Sequence, residues 1–298
     1  MLNLNKLFTI RNNDAVTDTL KLISTNNIKK LEDIRVYGHH HISHFLSLLN
    51  DSPDGFEIPF SNNTEAQLAK KGELEEDWQY FINCYNFRGK WNLDTNKKTK
   101  IACFGDSFTF GDGLREEVLY VEQLRYLLED TELYNVGKGG ASFERVVRIF
   151  AAFVKFVDID IAVFTFPHIH REFFVDDMGV AVDLIPNGDK KNVHWQYMLP
   201  FFELPENYQK TKLSLGLNYI LDIADILGIK VLFTSWDVPT YNLLKICAPE
   251  NTANKFFPND LDNKQARDKL HPGKNSHLRH AKNIRKELYD RTWIQRPS

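Results

Sequence analysis

The chain has 298 residues, 43% of them hydrophobic and 26% charged, with a formal net charge of -3. This is ordinary for a soluble globular protein, long enough for one large domain or a domain with an appendage, and it removes general nucleic-acid binding from the expected functions. The three cysteines, Cys84, Cys103 and Cys247, are odd in number and widely spaced, which gives neither a disulfide framework nor a cysteine zinc pattern.

Residues 1–96 are polar, irregular and rich in His and Asn, with helical stretches predicted around Ala15–Ile23 and His41–Leu49 and a turn at Asp51–Gly55. Met1–Asp14 carries no leader of a basic-then-apolar kind, and no apolar run reaches membrane-spanning length, so a cytoplasmic protein is expected. His40 and His44 have the i, i+4 spacing of metal ligands, but no Glu follows the first His and the run is polar; a solvated segment is the better reading and no metal is expected.

From Lys100 the pattern alternates. Lys100–Phe104 is a predicted strand and Glu117–Glu129 a helix with Val118, Val121, Leu124, Leu127 and Leu128 on one face. Glu132–Val136 is a second strand. Ser142 is placed to cap a helix whose inner face carries Val146, Val147, Phe150, Phe153, Val154 and Val157. Ile159–Phe166 is apolar nearly throughout, as in a strand covered on both faces. Phe173–Val175 and Val180–Leu184 flank Asp-Asp-Met-Gly and suit a hairpin. Lys212–Leu227 is a helix stopped by Gly228, Ile229–Ser235 a strand, and Gly273–Tyr289 the last helix; a short strand is also expected near Asn254–Phe257. Alternating strands and helices predict an α/β class, a three-layer α/β/α flavodoxin-like core with a parallel sheet over 97–298, preceded by an irregular N-terminal extension over 1–96.

The chemistry-bearing segment is Phe104-Gly-Asp-Ser-Phe-Thr-Phe-Gly111. A strand ends there, Gly105 permits a sharp turn, and Ser107 stands just past the strand tip, where unpaired backbone N–H groups can receive an oxyanion. Serine needs a base to act as a nucleophile. Asp268-Lys-Leu-His271-Pro272 supplies one: the spacing puts Asp268 and His271 on one side of a turn, so that the carboxylate orients the imidazole. Asp106 reads as an Asx-type turn residue that also borders the substrate space. Trp236 ends a strand on the same side and is a candidate substrate-packing residue; Asp237 is a lesser alternative to Asp268. His277 and His280 read as surface or helix-end residues.

Gly105-Asp-Ser followed by Phe-Thr-Phe-Gly resembles the nucleophile block of SGNH (GDSL-like) hydrolases, and Asp268-x-x-His271-Pro272 resembles their C-terminal block. Asn135-Val-Gly-Lys-Gly-Gly140-Ala-Ser resembles their second block, and Asn83-Cys-Tyr-Asn-Phe-Arg-Gly89 a stretch preceding the nucleophile in carbohydrate-acetylesterase-like and acetyltransferase-like members. The resemblance implies a Ser107–His271–Asp268 triad, an oxyanion hole from the Ser107 and Gly140 N–H groups, and no cofactor. It departs at the third block, Gly-x-Asn-Asp, replaced here by Pro167-His-Ile-His-Arg171; His168, His170 or Arg171 is the expected substitute donor. The implied activity is hydrolysis of O-acetyl esters, on a carbohydrate or small molecule. O-acyl transfer and a non-catalytic binding module are the alternatives, with the N-terminal extension a candidate docking region for a protein partner.

Overall fold

The computed structural model describes residues 56–59, 79–83, 85, 87–91, 93, 96–175, 181–184, 206–259, 266 and 271–296. The predicted helices at 15–23 and 41–49 and the His39–His44 cluster lie outside the described residues. An antiparallel pair, β1 (Phe56–Pro59) and β2 (Gln79–Ile82), comes first. It was not anticipated, being two four-residue strands without a tight turn between them.

The central sheet begins with β3 (Thr99–Gly105), which delivers a four-residue helix, α1 (Ser107–Phe110). There follow α2 (Tyr120–Leu127), β4 (Thr131–Gly137), α3 (Phe143–Phe153) and β5 (Ile161–Phe166). The hairpin β6 (Glu172–Val175) and β7 (Ala181–Leu184) interrupts the alternation as predicted. The chain resumes with α4 (Glu206–Leu227), β8 (Lys230–Ser235), α5 (Val238–Cys247) and α6 (Lys274–Asp290). The sheet order is β4-β3-β5-β8 and every pairing is parallel, the second strand lying outside the first as in flavodoxin-like sheets. The expected strand near Asn254–Phe257 reduces to one parallel bridge, Phe233 to Phe256, after a short 3-10 turn.

Side chains alternate across this sheet, so each strand feeds two cores. Ile101, Cys103, Leu133, Ile161, Val163 and Leu232 pack with Val121 and Leu124 of α2 and Ala281, Ile284 and Leu288 of α6. Ala102, Phe104, Val136, Phe164 and Phe233 pack with Phe150 of α3, Leu213 and Leu217 of α4 and Leu244 of α5. Phe104 stacks on Phe164 with ring centroids 5.2 Å apart, and Phe150 meets it edge-on at 5.3 Å. Phe87 and Trp91, assigned from sequence to the extension, are buried in this second core.

Two local departures have visible causes. The predicted helix Glu117–Glu129 divides into a 3-10 turn, Glu116–Val118, and α2, because Leu119 is extended and the Tyr120 N–H is donated to the buried His277 Nδ1 at 3.0 Å. Helix α5 was missed, although its signal was present: Asp237 caps it, accepting from the Thr240 N–H at 2.9 Å, with Pro239 in its first turn. No described helix is long and apolar enough to cross a membrane.

Gly137 marks where β4 meets the nucleophile turn. A Cβ there would lie 2.3 Å from the Phe110 N and 2.6 Å from the Thr109 carbonyl carbon, both backbone atoms. Gly137→Ala is expected to destabilise the protein by about 1–3 kcal/mol, the usual cost of overpacking, read as a lower urea midpoint with an unchanged slope. An unchanged midpoint would show that α1 is free to move away.

Candidate active site

Ser107 is the first residue of α1, and the turn that presents it is built from Asp106. The Asp106 Oδ1 accepts the Phe108 N–H at 3.0 Å, and its carbonyl accepts the Thr109 and Phe110 N–H groups at 3.1 and 2.9 Å. Gly105 leaves the room required, since a Cβ there would come within 2.6 Å of the Thr165 carbonyl oxygen. Beyond α1, the chain is held by Arg88, whose guanidinium donates to the carbonyls of Phe110, Gly111 and Leu114 while lying 4.1 Å from the Tyr80 ring centroid. Arg88 is fully buried, and burial lowers its pKa. Its role was missed in sequence; the only signal was its place in the Asn83–Gly89 stretch.

The second loop is tied to the same turn. Asn135 Nδ2 donates to the Thr109 carbonyl at 3.0 Å, the Lys138 N–H donates to the Gly105 carbonyl at 3.0 Å, and Gly140 follows with φ +76°, a left-handed conformation that favours glycine. Among the described residues neither the Ser107 nor the Gly140 N–H has an acceptor. Ser142 then caps α3, accepting from the Arg145 N–H at 3.3 Å, as anticipated.

His271 arrives from the loop before α6. Its Nε2 lies 2.9 Å from Ser107 Oγ, its ring meets Phe108 edge-on at 5.2 Å, and Asp112 Oδ2 stands 3.9 Å from the same Nε2. Two groups 164 positions apart in sequence therefore share one hydrogen bond at the carboxyl end of the central strand β3. Asp268 lies outside the described residues.

The remaining expected site residues take other places. Arg171, a candidate oxyanion donor, instead directs Nη1 to Asp106 Oδ2 at 2.6 Å and to the Ala141 carbonyl at 3.3 Å. Asp106, expected also to border substrate, is 1% exposed with both carboxylate oxygens engaged by Phe108 and Arg171, so it has no face toward a ligand. His168 pairs with Asp237 at 3.3 Å, while His170 is exposed; neither is paired with Ser107 or His271. Burial opposes ionisation of Asp237, but His168 and the Thr240 hydroxyl and N–H outweigh it and hold the carboxyl down at about 2. The same bond raises the His168 pKa. Asp237 is thus a helix cap and a partner of His168 and, as placed here, not of His271.

Trp236, expected to pack substrate, is 5% exposed and sits behind Phe108, against Tyr120, His277 and His280. Its apolar area is already spent on the core between β8 and α6. His277 and His280 are likewise fully buried rather than on the surface. Among the described residues no group of His, Cys, Asp and Glu is arranged to hold a metal.

No protein-family model matches the chain, and no curated protein sequence matches it. Solved structures similar in fold do exist. A carbohydrate acetylesterase family member from Sinorhizobium meliloti is 12% identical, with 66% of this chain and 100% of that one covered at a TM-score of 0.43. The psychrotrophic esterase EstA from Pseudoalteromonas sp. is 14% identical, covering 66% and 98% at a TM-score of 0.38. The lipase/acylhydrolase from Enterococcus faecalis is 16% identical, covering 65% and 96% at a TM-score of 0.41.

Proposed function

We propose that this chain is a serine hydrolase of carboxylic esters, working on O-acetyl groups borne by a carbohydrate or a small alcohol. The observation that carries the reading is the 2.9 Å contact between Ser107 Oγ and His271 Nε2. A serine hydroxyl in contact with an imidazole is the minimum apparatus for covalent acyl transfer at neutral pH.

In this mechanism Ser107 Oγ attacks the acyl carbon as His271 Nε2 takes its proton. The carbonyl oxygen becomes an oxyanion facing the N–H groups of Ser107 and Gly140. His271 then protonates the departing alkoxide, leaving an acyl-serine. Water, deprotonated by the same imidazole, attacks that ester, and the proton returns to Ser107 as the acid departs. Asp268 is assigned the orienting role on the far side of the imidazole, on the strength of the Asp-x-x-His spacing. The carbohydrate acetyl preference rests on the sequence resemblance of the Asn83–Gly89 stretch.

A fluorophosphonate probe tests the reading. It is expected to label the folded protein once, at Ser107, and to leave Ser107→Ala unlabelled. Absence of labelling in protein that melts cooperatively would overturn it in favour of a binding module. Acetate release from an acetylated oligosaccharide, with and without a free saccharide acceptor, then separates hydrolysis from transfer.

A further inference from the structure

One arginine that contacts the nucleophile turn, Arg171, is not part of the proposed triad. Arg171 and Asp106 form an ion pair at 2.6 Å with side-chain exposures of only 10% and 2%. The pair touches both loops that supply the unpaired N–H groups. Asp106 immediately precedes Ser107 and caps α1, while the second Arg171 bond reaches the carbonyl of Ala141, the neighbour of Gly140. The backbone that carries Arg171 is itself anchored: its N–H donates to the His168 carbonyl at 3.2 Å, and the adjacent Glu172 is held by Lys212 of α4 at 2.7 Å. Lys212 also donates to the Ile169 carbonyl at 3.3 Å. A buried carboxylate left without its cation is strongly unfavourable, and here it would stand one residue from the group on which negative charge develops.

We propose that Arg171 is a positioning residue: resting on the serine-enzyme reading, it sets the spacing between the Ser107 turn and the Gly140 loop and neutralises the Asp106 carboxylate beside the oxyanion. Besides Asp268, given its orienting role above, three charged or titratable groups among the described residues bear on His271. Asp112 lies 3.9 Å from its Nε2, His277 of α6 interacts with it electrostatically, and Arg88 acts beyond His277. None of these changes in the variants below, so a shift in the His271 titration between them reports the Arg171–Asp106 pair.

The experiment measures kcat, KM and the acid limb of kcat/KM on p-nitrophenyl acetate for Arg171→Gln, Asp106→Asn, the double variant and Arg171→Lys, with a melting curve for each. Arg171→Gln is expected to lose about 10²-fold in kcat with KM little changed, as for a misplaced reacting group. Its acid limb moves to higher pH, because the stranded carboxylate favours the His271 imidazolium. Asp106→Asn strands the cation instead, and its limb moves to lower pH. The double variant returns the limb to the wild-type position. Arg171→Lys keeps the limb but loses kcat, since both contacts come from Nη1 at the tip of the guanidinium and the shorter lysine chain reaches Asp106 and Ala141 only by shifting the loop that carries it.

If Arg171→Gln does not fold, Asp106→Asn and Arg171→Lys carry the test by themselves. Limbs that do not move, or that move in the same direction in both single variants, overturn the proposal while leaving the serine enzyme intact. A wild-type protein that neither hydrolyses p-nitrophenyl acetate nor takes the fluorophosphonate label overturns the serine-enzyme reading itself.

Discussion

Ser107→Ala is expected to lower kcat for ester hydrolysis by about 10⁴- to 10⁶-fold, and His271→Ala to lower it by a similar factor. The reason is mutual dependence. A serine hydroxyl whose proton has no acceptor is a poor nucleophile, and an imidazole without the hydroxyl at 2.9 Å has nothing to deprotonate. The Ser107→Ala/His271→Ala double variant should therefore be hardly slower than either single one, its residual rate coming from the backbone donors and from binding. Initial rates on p-nitrophenyl acetate at pH 8 decide this. Losses that multiply in the double variant would mean that the two side chains act separately. A Ser107→Ala protein within about tenfold of wild type would remove serine from the chemistry altogether.

Acid is expected to destabilise the fold through the buried histidines of α6. His277 accepts the Tyr120 N–H on Nδ1 at 3.0 Å, and His280 lies between Thr165 Oγ1 and Asn259 Oδ1, each at 3.1 Å. With Asn259 Oδ1 as an acceptor, the His280 proton sits on Nδ1 and Nε2 accepts from Thr165. Both rings are held as neutral imidazoles within the aromatic shell of Tyr120 and Trp236, His280 bonded at both nitrogens and His277 with its Nε2 buried and, among the described residues, without a hydrogen-bond partner. Burial brings the His277 pKa down from its ordinary 6.5 to about 3, and lowers that of His280 as well.

Between these values the unfolded chain binds protons that the folded chain refuses. The stability contribution is therefore complete above about pH 6.5 and lost as the pH falls toward 3, on the order of 5 kcal/mol for His277 alone. Melting temperatures at pH 7, 5.5 and 4 should fall steeply in the wild type and less steeply in His277→Gln, whose side-chain carbonyl still accepts the Tyr120 N–H. Equal slopes in the two proteins would show that carboxylates alone govern acid unfolding.

Much of the architecture was legible because apolar periodicity differs between a strand covered on two faces and a helix covered on one. Ile161–Phe166 and Lys230–Ser235 were foreseen almost to the residue, as was the Ser142 cap. Strands of four residues, such as β1 and β2, offer too few positions for a period to show. Trp236, His277 and His280 were misplaced for a different reason. A polar or amphipathic side chain near a strand tip or helix start reads as exposed, and only the packing of α6 against β8 and α2 reveals that they share one buried cluster.

The sequence by itself determined the α/β alternation, the Gly-Asp-Ser turn at a strand tip and the candidacy of His271, because each depends on residues adjacent in the chain or on local turn chemistry. Tertiary structure alone decided which distant groups share a hydrogen bond or a charge where no motif announces it: that Arg88 grips the carbonyls after α1, and that Arg171 pairs with Asp106. Such pairings depend on where separate strands and helices come to rest in the sheet, and local propensity and pattern carry no record of that.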